Sequence, residues 1–151
     1  GVTVLSQIAG RALSPAVNDP GTAIDIIGIM VRLFVIWSAP DEEDDSSEVE
    51  YDRVDVPLLR TQDLFDDAFT AMSSNGAGSV EVMLRLQKAL ASLAATGDSS
   101  MRNAAIHHAR RAFAHAEKEL VVPQDVDRVR DMAAFALDSD PPDRNTSSRE
   151  D

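Results

Sequence analysis

"GTAIDIIGIMVRLFVIWSA", Gly21 to Ala39, decides the fold. It is the most hydrophobic run of the chain. A run of this kind either crosses a bilayer or forms a core helix of a globular domain. About eleven strongly apolar residues contribute roughly -3 to -6 kcal/mol to membrane insertion. Asp25 and Arg32 oppose it with up to about 5–7 kcal/mol at full depth, less for Asp25 near the end. The sum is near zero or unfavourable, so the sequence predicts a buried core helix. Gly21, Asp25, Gly28 and Arg32 share one face of it. That small and polar stripe reads as the side turned to solvent or to a closely packed neighbour.

The residues before this run explain how it starts. Asp19-Pro20 is a helix opening: an Asp N-cap accepts free amides of the first turn, and proline at the first position sacrifices no bond. Upstream, Val2 to Leu13 reads as a short helix, with Val4, Leu5, Ile8, Ala12 and Leu13 at helical spacing. Ser14-Pro15 ends it, because proline pushes its predecessor out of helical geometry. The joint between the two helices gathers Arg11, Ser14, Asn18, Asp19 and Thr22. These five are the candidate ligand or partner loop, since free amides at a helix start can bind an anion. The plainer reading is a loop that satisfies its own backbone and fixes the angle between two helices.

After the run comes "DEEDDSSEVEYD", within an acidic stretch spanning 40–52. So dense a block of like charge resists packing, and its spacing lacks the glycine and terminal glutamate of an EF-hand loop. "RVDVPLL", 53–59, alternates Val54 and Val56, and its proline limits it to an edge or an extended arm. Four further helices follow. Thr61 is the expected cap of the first, which carries Leu64, Phe65, Ala68, Phe69 and Met72. Ser79 is the expected cap of the next, with Met83, Leu86, Leu90 and Leu93 at steps of three and four. Ile106, Ala109, Phe113, Ala116 and Leu120 make a long stripe. Pro123 opens a last helix with Val126, Val129, Ala133 and Leu137 inward. Residues 138–151 are polar and proline-containing, which predicts a disordered tail. The expected fold is all-α, a bundle of about six helices over 1–137 around the 21–39 helix, with at most a minor extended segment near 53–59.

At 151 residues the chain has room for one core. Its formal net charge of -12 repels phosphate backbones and anionic headgroups, so nucleic acid is not an expected partner. Without cysteine, disulfides, iron–sulfur clusters and thiol chemistry are excluded. His107, His108 and His115 lie on one expected helix; His108 and His115 are seven apart, too far to share one ion, and no carboxylate lies at the usual ligand spacing from His108. They read as boundary or surface residues, and no metal or cofactor is expected. The sequence shows no nucleophile elbow, phosphate-cradling glycine loop or HExxH, so an enzyme is the least favoured class.

"ALSPAVNDPGTA", Ala12 to Ala23, resembles the hallmark of a family of uncharacterised bacterial predicted membrane proteins, those with domain of unknown function 2254. The elements that carry the resemblance are Ala12 to Pro15, Ala16-Val17, Asn18 to Pro20 and Thr22-Ala23. More loosely it continues to about Leu137. The resemblance implies membrane attachment through segments absent from this chain. This part would then be the soluble C-terminal domain at a bacterial cell membrane, on the cytoplasmic side. The expected function is an interaction or regulatory domain that self-associates as a homo-oligomer. The alternative is a small-molecule or ion sensing module, or a transport-associated one, using the Arg11–Thr22 loop.

Overall fold

The computed structural model describes residues 1–39 and 60–139. The acidic stretch 40–52, the extended arm expected near 53–59 and the tail from 140 on lie outside the described residues. Among the described residues there are six helices and no strand: α1 (Val2–Ala12), α2 (Pro20–Trp37), α3 (Thr61–Asn75), α4 (Val80–Thr96), α5 (Ser99–Glu119) and α6 (Pro123–Leu137).

Local chemistry sets most of these ends. Asp19 Oδ1 accepts the Thr22 amide at 3.1 Å, and Pro20 takes the first position of α2. Ser79 Oγ accepts the Val82 amide at 3.5 Å, and Asp98 Oδ1 the Met101 amide at 2.8 Å. Each satisfies one of the donors that a helix start leaves unpaired. Thr61 is not the cap expected of it. The chain arrives extended at Arg60, so Thr61 is already the first helical residue and its hydroxyl comes one position too late. Between α3 and α4 the turn closes on Gly76, where a Cβ would lie 2.7 Å from both the Met72 carbonyl and Val82 Cγ1. Only glycine permits that approach.

The helices close into a ring. In order of contact it runs α1, α2, α4, α5, α3 and back to α1, and α6 lies against the α4–α5 pair. Aromatic rings fill the middle. Phe34 of α2 meets Phe65 and Phe69 of α3 at 4.6 and 5.6 Å between centroids, and His108 of α5 lies 5.9 Å from Phe65. Met83, Leu86, Leu90 and Leu93 of α4 are all buried, as the spacing predicted. The stripes of α3 and α5 also face inward, with Leu64, Ile106 and Leu120 only partly covered.

Besides Thr61, four expectations need correction. Leu137, expected inward on α6, is 37% exposed. The bundle is not built around α2. The elements with most neighbours are α4 and α5, and α5 buries Ala104, Ala105, Ala109, Ala112 and Ala116. Small side chains let helix axes approach closely, so packing centres where alanines lie and not where apolarity is highest. In α1, Val4 and Ile8 are 55% and 47% exposed. The packed face runs instead through Ser6, Ala9 and Ala12, and Gly10 lets Asn75 and Ala71 of α3 come close. Finally, His108 is a core residue, 1% exposed, rather than a boundary one.

Candidate functional site

The joint between α1 and α2 comes together as a self-bonded surface loop. The Ser14 carbonyl accepts the amides of Val17 and Asn18, at 3.0 and 2.8 Å, and the Arg11 carbonyl accepts the Ser14 amide at 3.1 Å. The Asp19 amide reaches back to the Ala12 carbonyl at 2.8 Å. That bond ties the start of α2 to the end of α1. Asn18 adopts a left-handed conformation, φ 48°, which asparagine tolerates better than most residues. The Thr22 hydroxyl donates to Asp19 Oδ2 at 2.6 Å, and with the Thr22 amide it holds the Asp19 carboxyl below its ordinary pKa. Of the five candidate side chains, the structure thus joins Asp19 and Thr22. Arg11, Ser14 and Asn18 contribute through their backbones, and Arg11, Asn18 and Asp19 are exposed.

A second feature lies on the outer side of α2. Only Ala23, Ile26, Ile27, Met30 and Phe34 of its eighteen residues are buried. Ile29, Leu33 and Ile36 recur at steps of four and three along a stripe that faces away from the ring. Ile36 is 72% exposed, and Trp37 and Val35 are also open. Where α2 ends, Leu33, Phe34 and Trp37 join Val2 of α1 and Leu64 of α3 around a cavity of about 250 Å³ with almost wholly apolar walls. Val4 and Ile8 of α1 are also exposed apolar residues. The sequence held the signal for this surface. Apolar residues surround α2 on every side except the Gly21–Arg32 stripe, and a helix with two neighbours covers only part of its circumference.

Two buried polar side chains, Gln87 and His108, lie in the core. Gln87 Nε2 donates to the Ala109 carbonyl at 2.9 Å and ties α4 to α5. His108 Nε2 lies 3.1 Å from Asp66 Oδ1, off the direction a hydrogen bond needs, and neither imidazole nitrogen has a bonded partner among the described residues. Burial holds this imidazole down to a pKa of about 4, against the pull of the Asp66 carboxylate and with the help of His107 and Arg111. Among the described residues no three His, Asp or Glu side chains gather as metal ligands.

The fold is a small all-α bundle with an exposed apolar stripe on the outer side of α2. α2 is also the one described helix long and apolar enough to cross a membrane, by length and composition. The chain belongs to the family of predicted membrane proteins known as domain of unknown function 2254, whose profile matches residues 1–92. That match spans α1 to α3 and most of α4, and so contains both the joint and the outer face of α2. It stops short of Leu137, leaving α5 and α6 outside. No curated protein and no solved structure matches the chain.

Proposed function

We propose that this chain is an interaction domain of a bacterial integral membrane protein, standing in solution on the cytoplasmic side and self-associating through the outer face of α1 and α2. The observation that carries this reading is the stripe Ile29, Leu33, Ile36 with Trp37 beside it. Contiguous exposed apolar surface of this kind marks contact sites in folded proteins. The α1–α2 joint has the supporting role of a fixed corner, since its bonds hold both helices at one angle and so present one composite face. Asp25 and Arg32 remain in water beside that face, which the insertion balance favours over their transfer into lipid.

Sedimentation velocity of the full chain across a concentration series tests the proposal. The wild type is expected to form a dimer or higher oligomer. Leu33→Lys with Ile36→Lys is expected to give a folded monomer. Lysine is the chosen residue because a cation suits the C-terminal end of α2. A wild-type chain that stays monomeric at high concentration would sink the reading.

A further inference from the structure

Between α2 and α4 runs a half-open groove of about 230 Å³. Arg32 enters it from α2, and Arg85 and Lys88 enter from α4. Ser92 adds a hydroxyl, and Val31 and Ala89 supply an apolar floor. At Gly28 a Cβ would lie 3.4 Å from Arg85 Nη2, so the guanidinium reaches across to the α2 backbone. Among the described residues, no carboxylate lines the groove. Asp25 and Glu81 sit one turn before it on α2 and α4, and none of the three cations is within ion-pair distance of a carboxylate among the described residues. The arrangement runs against the average of the chain, which has 26 acidic and 14 basic residues.

We propose that this groove is a phosphate site. Three cations from two helices repel one another across a shared space, and a bound anion removes that repulsion. Guanidinium groups offer forked donors that match phosphate oxygens, and the ammonium adds a compact charge. Facing guanidiniums with a third cation suit a multiply charged tetrahedral anion better than a single carboxylate. The groove has the same chemistry for a free phosphate or phosphorylated small molecule as for a phosphate headgroup in a bilayer. The proposal is independent of the assembly reading, because the groove lies on the α4 side of α2 and uses none of the apolar stripe.

Two arms separate the sources. In the first, the full chain is titrated with inorganic phosphate at constant ionic strength while amide resonances are followed. In the second, it is sedimented with phosphatidylcholine vesicles that contain or lack phosphatidic acid. Saturable shifts at Gly28 and Ser92 would establish a soluble phosphate site. Binding only to phosphatidic acid vesicles would establish a headgroup site. In either case Arg32→Gln with Arg85→Gln is expected to weaken binding at least tenfold. Arg128→Gln with Arg130→Gln on α6, which removes the same charge, is expected to leave it unchanged. Both pairs are exposed, and thermal melts check that both variants fold. Failure of both arms would overturn the proposal. So would equal losses in the two charge-matched variants, because only the overall charge would then matter.

Discussion

α2 and α3 hold equivalent places in the ring, and their outer faces are opposite in character. α2 has α1 and α4 as neighbours; α3 has α1 and α5. Each turns phenylalanine inward, Phe34 from one and Phe65 and Phe69 from the other. The exposed residues of α3 are Gln62, Asp63, Asp67, Ser74 and Asn75, all polar. α2 exposes Ile29, Leu33, Val35, Ile36 and Trp37, with Gly21, Asp25 and Arg32 along one edge. The fold requires only the inner half of each helix. What the outer half of α2 carries is therefore surplus to folding, and surplus apolarity is where an account of function has to start.

The inner faces should behave alike. Phe34→Ala and Phe69→Ala are each expected to cost about 3–5 kcal/mol, since each empties the same aromatic cluster. Urea unfolding checks this, and a cheap Phe34→Ala would break the equivalence. Next in size is the pH response of the core beneath α3. Because His108 has a folded pKa of about 4 against an ordinary 6.5, the unfolded chain takes up a proton that the folded chain refuses. Stability should be full above about pH 6.5, fall as pH drops through the window to about 4, and lose roughly 3 kcal/mol in total. The drop between pH 7 and pH 4.5 should shrink in His108→Gln, and an unchanged drop would assign it to carboxylates elsewhere.

A smaller effect is expected at the cap of α5, outside both compared helices. Asp98→Ala should cost about 0.5–2 kcal/mol by freeing the Met101 amide. The smallest belongs to the outer faces. Ile36→Ser should leave the stability of the dilute chain within about 0.5 kcal/mol, as surface changes usually do. The reverse exchange sharpens the comparison: Asp63→Leu with Asp67→Leu should give α3 an adhesive face that light scattering detects.

Helix positions were legible because their signals are local. Asp19-Pro20, Ser79 and Pro123 mark helix starts within a residue or two, and the leucine spacing of α4 gives its buried side directly. Thr61 misled because a cap depends on how the chain arrives, which its own side chain does not determine. The rank of the helices was not legible. Apolarity placed α2 at the centre, whereas close approach along the alanines of α5 placed the centre elsewhere. Val4 and Ile8 failed for a related reason, as α1 buries its smallest side chains where Gly10 meets α3. The five loop residues were recognisable as a cluster, and their backbone bonding emerged only from the turn they build together. The basic groove had no signal in the sequence, since Arg32 lies more than fifty positions from Arg85 and Lys88.

With no cysteine in the chain, a single introduced thiol can report on the outer face of α2. Ile36→Cys gives a single thiol for a spin label, and His107→Cys gives a control on the exposed side of α5. If the outer face of α2 is covered by a second copy, the label at 36 should be immobilised and show short-range dipolar coupling to its counterpart. The label at 107 should remain mobile and uncoupled. A mobile, uncoupled label at 36, at concentrations where the wild type sediments as an oligomer, would contradict the account.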